Sequence, residues 1–383
     1  MPPNFLRLRA ALALAVLAAG FSSPLRATPQ SDDAATSLTT ILYENLFAYT
    51  SFDGAVFGQQ FATWKGLNAD GSTWQGNANR SDIKTVTGHH PGVSGWNFDT
   101  YLYATASQRT TMRQRMLDDF ARGMILTIHW EMRNPLTGGS AKDRTGVNDT
   151  PSVLARAVTS GEAANTKLNS DLDALATLLG QLTVNGESVP VIFRPYHEMN
   201  GDWFWWGAAV PSEFTTLWNY TLTYLRDTKA VHQLLYCYAP SGNQFNSKAE
   251  YLIYWPGNAK VDVCGVDQYL KDTDAISKWN DALGYAYQAA SARGKPTAFT
   301  EIGRTAGLAG TTNPAWWTTR VLAAFNDPVR PLWTKCAYLM TWTNQAASSY
   351  WVPYYSGHEQ AADFQAFAND AHVLLQGDFT PYQ

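Results

Sequence analysis

Charged side chains are scarce in this sequence of 383 residues. Asp, Glu, Lys and Arg make up 16% of the chain, and 28 basic against 32 acidic residues give a formal net charge of −4. An average globular protein has roughly a quarter of its residues charged. The sequence therefore predicts no nucleic-acid partner and no electrostatic attraction to an acidic membrane.

Cysteines and long apolar runs are scarce as well. The chain has three cysteines, and Cys237, Cys264 and Cys336 each lie inside a short apolar run. We predict three buried free thiols, with a Cys237–Cys264 bridge between neighbouring strands as the alternative. After the N-terminal segment, no stretch reaches the roughly 18 consecutive apolar residues of a membrane helix. We therefore expect no membrane anchor.

Residues 1–27 have the pattern of a secretory signal peptide. Arg7 and Arg9 precede the apolar stretch ALALAVLAAGF at 11–21, and a basic segment before about ten apolar residues is typical of such signals. Cleavage after Ala27 and export to the periplasm or the medium are predicted. Residues 28–40 are small and polar, so we expect a short tail there, followed by a single domain over 41–383.

Short apolar or β-branched runs alternate with helical patterns along the whole chain. We predict strands at 54–60, 90–96, 123–129, 189–195, 234–239, 261–266, 296–301 and 336–342. Helices are predicted at 109–122, 166–183, 212–228, 278–293, 314–325 and 360–375. Eight strands alternating with helices favour one α/β domain, a (β/α)8 TIM barrel. An open doubly wound sheet is the alternative, but no nucleotide-binding glycine motif follows any strand.

Aromatic residues, in contrast, are abundant. The chain has 15 Trp, 19 Tyr and 17 Phe, which together make 13% of it. A weakly charged, indole-rich protein is suited to a neutral partner that stacks on aromatic rings, such as a sugar. The same residues could instead fill a large core, and composition does not separate the two interpretations.

The predicted strand ends carry groups that could do chemistry, and TIM barrels place their active sites at these ends. The groups are His129 and Trp130 at the end of the third strand, Arg194, His197 and Glu198 at the end of the fourth, Asp267 and Tyr269 at the end of the sixth, Glu301 at the end of the seventh, and Trp342 at the end of the eighth. Glycoside hydrolysis needs one protonated carboxyl group and one ionised one. The indoles at 203–206 favour a protonated Glu198, and Arg194 and Tyr269 could keep Glu301 ionised. Structural salt bridges at the strand ends are the alternative.

Several segments then resemble a known family. FRPYHEMNGDWFWWG at 193–207 resembles the acid/base segment of glycoside hydrolase family 26, and FTEIG at 299–303 resembles its nucleophile strand. The segments at 81–99, 127–130, 261–269 and 339–344 are similar to the family's other strands, in the same order. The resemblance implies a TIM barrel and a retaining double-displacement mechanism that uses no metal and no cofactor. It also implies an endo-β-1,4-mannanase, the activity for which the family is best known.

The resemblance also implies roles for individual residues. Glu198 would be the general acid/base and Glu301 the nucleophile. The sugar-binding residues would be His129, His197, Trp203, Tyr269 and Trp342, with Tyr269 holding Glu301 and with His129 and Trp342 on the non-reducing side. Two positions depart from the family's pattern: Gln59 stands where His is frequent, and Glu131 adds a carboxylate after TIHW.

The expected substrate is β-mannan or another neutral polysaccharide, and the expected form of the protein is a monomer. A β-glucanase or β-1,3-xylanase of the same family and a non-catalytic polysaccharide-binding barrel remain as alternatives. Two groups of aromatic residues are expected. Those facing the sugar are Trp130, Trp203, Tyr269 and Trp342, and those in the core are Trp218, Trp279, Trp316 and Trp317. Of Trp205 and Trp206, one is expected to be core, because adjacent residues point in different directions.

Overall fold

The computed structural model describes residues 30–383, and its centre is a closed barrel of eight parallel strands. The strands are β1 Ala55–Gln60, β2 Val93–Asn97, β3 Ile125–Trp130, β4 Val191–Pro195, β5 Leu234–Tyr238, β6 Val263–Leu270, β7 Thr297–Arg304 and β8 Tyr338–Thr341. Each pairs with the next along the chain, and β8 closes the barrel against β1, with Tyr338 opposite Val56. All eight overlap the predicted segments, so the predicted TIM barrel is confirmed.

Helices surround the barrel. They are α1 Ser37–Tyr49, α2 Asp82–Thr87, α3 Phe98–Leu102, α4 Ala106–Ala121, α5 Val153–Val158, α6 Ala163–Gly180, α7 Pro211–Thr223, α8 Lys248–Tyr251, α9 Ser277–Ser291, α10 Ala323–Phe325 and α11 Ala361–Ala368. Single π-helical turns, Tyr224–Thr228 and Trp317–Leu322, extend α7 and precede α10. Small hairpins are formed by Lys65–Leu67 with Thr73–Gln75 and by Thr183–Val184 with Glu187–Ser188.

The last predicted helix, 360–375, is too long. Helix α11 ends before Asn369, and Asp370 accepts a hydrogen bond from the backbone N–H of His372 at 3.0 Å, which turns the chain. The following residues, Val373–Leu374, form a short strand that pairs with the start of β1. The apolar pattern here therefore continues from a helix into a strand, and periodicity alone did not show the break.

The lower half of the barrel interior is apolar and is closed by α1. Leu42, Tyr43 and Leu46 of this helix pack with interior residues of the strands, among them Val56 and Ile125. The helix was missed in the sequence, where its first residues were assigned to a polar tail. Because apolar side chains fill the lower half, the polar side chains of the interior are concentrated at the carboxyl ends of the strands.

The described part of the predicted tail, residues 30–40, packs against the barrel instead. Ser31 and Asp32 are buried. The backbone N–H and hydroxyl of Ser31 donate to Asp262 at 2.7 and 2.6 Å, and Arg226 donates to the Ser31 carbonyl at 2.7 Å. Buried hydrogen-bond partners elsewhere in the chain thus order this polar segment, which composition could not reveal. The predicted signal peptide, 1–27, lies outside the described residues.

Two further predictions concern buried side chains and the membrane. Cys237, Cys264 and Cys336 are all free and buried, as expected, so the alternative bridge does not form. Trp218, Trp279, Trp316 and Trp317 lie in the core, also as expected. Among residues 30–383, no helix combines the length and the apolar character needed to cross a membrane.

Candidate active site

The strand register brings the predicted groups to one end of the barrel. Across β2, β3 and β4, Asn97 pairs with His129 and His129 pairs with Arg194. On the other side of the barrel, Asp267 of β6 pairs with Glu301 of β7. The parallel register of these strands therefore places the side chains at the carboxyl ends of the strands, where TIM barrels carry their active sites.

A β-bulge directs Glu301 towards the barrel axis. Val266 pairs with Phe299, and the next residue, Asp267, pairs with Glu301, so Thr300 is an extra residue on β7. Ala298 packs in the barrel interior, and strict alternation from it would turn Glu301 outwards. The bulge reverses this direction, which is a known use of bulges near functional sites.

Both oxygens of Glu301 accept hydrogen bonds. The Nη2 atom of Arg194 donates to Oε1 at 2.5 Å, and the hydroxyl of Tyr269 donates to Oε2 at 2.8 Å. Arg194 also forms an ion pair with Asp267, and the hydroxyl of Thr300 donates to the other oxygen of Asp267 at 2.5 Å. Two donors and a fixed guanidinium are the environment of an ionised, well-oriented carboxylate.

Glu198 lies in a tight turn directly after β4. Its φ is 54° and that of Tyr196 is 51°, a left-handed conformation that non-glycine residues rarely adopt. The turn is held by a hydrogen bond from the Glu198 N–H to the Ala239 carbonyl at 2.7 Å. Asn200 and Ser241 add a reciprocal pair of side-chain to backbone hydrogen bonds at 2.9 and 2.8 Å. Such backbone strain is often found where a side chain must be aimed for function.

The surroundings of Glu198 favour its protonated form. Burial raises the pKa of Glu198 to about 7, and the negative charge of Glu301 acts in the same direction. The indole N–H of Trp203, 2.7 Å from Oε2, and the charge of Arg194 oppose this rise in pKa. The barrel mouth thus holds two carboxyl groups in different environments. Glu198 is suited to donate a proton near neutral pH, and Glu301 is a carboxylate that accepts two hydrogen bonds.

Two histidines and a tryptophan lie beside these carboxyl groups. The ring of His129 is 5.4 Å from that of His197 and 5.4 Å from that of Trp342. Burial and the charge of Arg194 lower the pKa of both histidines well below the usual value, so both rings are neutral. Within residues 30–383, neither ring nitrogen of His129 has a hydrogen-bond partner. Buried polar atoms of this kind usually bind a ligand or water.

Three of these residues have a spacing that a metal ion could use. Ligand atoms of His197, Asp267 and Glu301 lie within 4.8 Å of one another. Both carboxylates, however, already bind the guanidinium of Arg194, which supplies the positive charge that a metal would otherwise bring.

Trp130 was expected to face the sugar, and that expectation is wrong. Its side chain is 1% exposed and packs edge-on against Phe98 at 5.0 Å. His129 points into the barrel, so its neighbour on the same strand points outwards to the helices. Trp205 and Trp206 are both buried, and their indole N–H groups donate to the carbonyls of Met132 and His197 at 2.9 and 2.8 Å.

The two positions that depart from the family's pattern also lie at the barrel mouth. Gln59 donates to the carbonyl of Trp342 at 3.3 Å. Glu131 accepts a hydrogen bond from the side-chain amide of Asn97 at 2.9 Å. Asn97 was not among the predicted site residues, although it stands at the end of a strand, which is the signal that identified the others.

A family model, "Glycosyl hydrolase family 26", matches residues 31–310. A mannan endo-1,4-beta-mannosidase of Bifidobacterium adolescentis is 33% identical over 90% of this chain, which spans only 35% of that relative's length. Among solved structures, a double mutant of the Cellulomonas fimi endo-beta-1,4-mannanase superposes with a TM-score of 0.83 at 31% identity, covering 93% of this chain and 79% of the other. The GH26 beta-mannanase BoMan26A of Bacteroides ovatus gives 0.80 at 31% identity, covering 91% and 98%.

Proposed function

The chain belongs to glycosyl hydrolase family 26, and we propose that it is a secreted, retaining endo-β-1,4-mannanase that hydrolyses mannan-type polysaccharides. The observation that carries the proposal is the contrast between two carboxyl groups at the barrel mouth. Glu198 is half-buried and has a raised pKa, whereas Glu301 binds Arg194 and Tyr269 through its two oxygens. This is the division of roles that a retaining glycosidase needs.

In the first step of the proposed mechanism, Glu301 attacks the anomeric carbon while Glu198 gives its proton to the departing glycosidic oxygen. The C–O bond to the leaving sugar breaks, and a covalent glycosyl–Glu301 ester forms. Arg194 and Tyr269 hold the attacking carboxylate at 2.5 and 2.8 Å. Because the nucleophile is already oriented, little reorganisation is needed at the moment of reaction.

In the second step, Glu198 accepts a proton from a water molecule, which attacks the anomeric carbon and releases Glu301. Two inversions give net retention of configuration, and both carboxyl groups return to their starting protonation states. Formation of the ester removes the negative charge of Glu301, which lowers the pKa of Glu198 and so favours its new role as a base.

The remaining residues of the cleft would bind and orient the sugar. We assign His129 and Trp342 to the sugar on the non-reducing side, since the free ring nitrogens of His129 can bind hydroxyls and the half-buried indole of Trp342 offers an apolar face. A ring nitrogen of His197 lies within 4.8 Å of a carboxylate oxygen of Glu301, so His197 would contact the sugar at the scissile bond. Trp203 would line the cleavage site while donating to Glu198.

Mannan as the substrate is supported by the names of the relatives, and the first test is substrate choice. We expect reducing-sugar release from β-mannan and galactomannan to exceed that from mixed-linkage β-glucan and β-1,3-xylan by at least about tenfold, since epimeric hydroxyls are read by a few buried polar groups. Comparable or higher rates on glucan or xylan would contradict the assignment to mannan. Binding to mannan with no hydrolysis of any of the four would instead favour the non-catalytic barrel.

The retaining mechanism has its own test, which is independent of the polysaccharide. Proton NMR of the product during the first minutes of manno-oligosaccharide hydrolysis should show the β-anomer before mutarotation. An initial α-anomer would mean direct attack by water, and Glu301 would then be a general base rather than a nucleophile.

Trp203→Phe should move the alkaline limit of activity to higher pH. The indole N–H donates to Glu198 and favours the ionised form, so its removal should raise the pKa of Glu198. The general acid is active only below its pKa, and the falling limb of kcat/KM should therefore shift upwards by about half to one pH unit. The measurement is kcat/KM between pH 5 and pH 10.

The matched control is Trp255→Phe, which removes an indole N–H that donates to Asn258 at 3.1 Å, away from the site. The alkaline limb of kcat/KM for Trp255→Phe should coincide with that of the unmodified protein. A Trp203→Phe limb that stays in place or moves to lower pH would show that Glu198 is not the group that titrates.

A further inference from the structure

A third carboxyl group lies at the barrel mouth, outside the pair that carries the proposed chemistry. Glu131 follows β3 directly and is half-buried. Asn97 positions it: the amide of Asn97 donates to Oε2 at 2.9 Å, and the amide oxygen accepts the backbone N–H of Asp99 at 2.9 Å, at the start of α3. Glu131 is therefore fixed by a strand end and a helix start together.

One oxygen of this carboxylate has no protein partner. Among residues 30–383, no hydrogen bond reaches Oε1 of Glu131, and no lysine or arginine nitrogen lies within the 4.0 Å of an ion pair. Arg194 neutralises Asp267 and Glu301 but does not contact Glu131. A half-buried carboxylate without a paired cation is costly, and such groups concentrate at functional sites.

The charges around Glu131 act over longer distances. Burial raises the pKa of Glu131, and the charges of Glu301 and Asp99 act in the same direction, while Lys142 and the hydrogen bond from Asn97 oppose it. The charge of Glu131 in turn acts to raise the pKa of Lys65, which lies on the first hairpin. The charge of Glu131 thus interacts with that of the proposed nucleophile and with that of the hairpin lysine.

We propose that Glu131 is a specificity-determining residue, which accepts a hydrogen bond from a hydroxyl of a neutral sugar bound on the non-reducing side of the scissile bond. The inference rests on the proposed function, because it takes Glu301 as the nucleophile and the side of His129 as the glycone side. A carboxylate is an acceptor only, so it suits the hydroxyl-rich, uncharged surface of a hexose.

The charge of Glu131 also acts on the proposed acid. The groups that face Glu198 are Glu301, Arg194, Trp203, Glu131, Asp267 and Tyr269. The repulsion between Glu131 and Glu198 favours the protonated Glu198, which is the form that donates. Removal of this charge should therefore lower the pKa of Glu198 and bring the alkaline limit of activity to lower pH.

The test compares Glu131→Gln and Glu131→Asp with the unmodified protein on β-1,4-mannotetraose. Glu131→Gln keeps the shape but loses the charge, so kcat/KM should fall by about tenfold or more and the alkaline limb should move down by about half a pH unit. Glu131→Asp keeps the charge but is one methylene shorter. It should lose a similar factor in kcat/KM, while the alkaline limb of its pH profile stays close to that of the unmodified protein.

The matched control is Glu250→Gln, on an exposed glutamate of α8 that accepts only a local backbone N–H; it should change neither quantity. Circular dichroism melting checks that each variant is folded. Glu131→Gln with unchanged kcat/KM and an unmoved limb, in a protein that hydrolyses mannan, would overturn the inference and leave the proposed function intact. If the unmodified protein neither binds nor cleaves mannan, both fail together.

Discussion

Replacement of Glu301 by alanine should lower the rate of mannan hydrolysis by about 10⁴-fold or more, as expected when a covalent nucleophile is removed. The structure gives the reason in the contacts of this side chain. Arg194 and Tyr269 donate to its two oxygens. Arg194 is fixed by an ion pair with Asp267, and Asp267 accepts a hydrogen bond from Thr300. No other carboxylate in the described chain is held by the same pair of donors, so no neighbour can take over the attack.

Rescue by a small anion distinguishes a lost nucleophile from a damaged fold. In Glu301→Ala, added azide can occupy the vacated space and attack the anomeric carbon, so release of the phenolate from an activated aryl β-mannoside should partly recover, with the α-mannosyl azide as the sugar product. Glu359→Ala, at an exposed glutamate, is the control and should keep full activity without azide. Residual activity of a tenth or more in Glu301→Ala would exclude Glu301 as the nucleophile.

The same substitution should change the proposed acid. The charge of Glu301 contributes to the raised pKa of Glu198, and without it the pKa of Glu198 should fall. Arg194 would then retain only Asp267 as a partner. The two carboxyl groups and the guanidinium therefore form one electrostatic unit, and effects of substitutions within it should not be additive.

The order of elements and the strand ends could be predicted from the sequence because they depend on local patterns. Buried parallel strands appear as short apolar runs, and polar residues near their carboxyl ends, such as Arg194, Asp267 and Tyr269, mark those ends. Once eight such runs favour a barrel, these ends must converge. Most residues of the candidate site could thus be listed from the sequence, although Trp130 was wrongly included and Asn97 was missed.

What the sequence could not provide depends on contacts between distant segments. The bulge at Thr300 breaks the alternation that would turn Glu301 away from the axis, and no local pattern announces it. The left-handed turn at Glu198 occurs without a glycine and is held by Ala239, which directly follows β5. Ser31 was assigned to a polar tail because the residue that binds it, Asp262, lies more than two hundred residues away and no local pattern indicates the contact.

Adjacent aromatic residues were equally ambiguous for a physical reason. Trp130 and His129 alternate along β3, so only one can face the cleft, although both were expected to bind the sugar. In the structure, the indole of Trp130 points outwards to the helices and packs against Phe98. The half-buried indoles at the site are Trp203 and Trp342, which follow their strands in loops.

Glu198→Ala should show an effect that depends on the leaving group. On mannan, where the departing oxygen is a poor leaving group and needs a proton, the rate should fall by about 10³-fold. On a dinitrophenyl β-mannoside, whose leaving group departs as a stable anion, formation of the glycosyl ester should be nearly unchanged, and hydrolysis of the ester should become rate-limiting because no base remains to activate water.

Pre-steady-state kinetics separate the two steps. A burst of dinitrophenolate equal to the enzyme concentration, followed by slow turnover, is expected for Glu198→Ala, together with the loss of the alkaline limb of the pH profile. The burst requires that Glu301, still held by Arg194 and Tyr269, attacks without help from Glu198. Equal losses on mannan and on the activated substrate, with no burst, would mean that Glu198 positions the sugar rather than transferring a proton. The raised pKa of Glu198 would then follow from its burial and the neighbouring carboxylates, without a role in proton transfer.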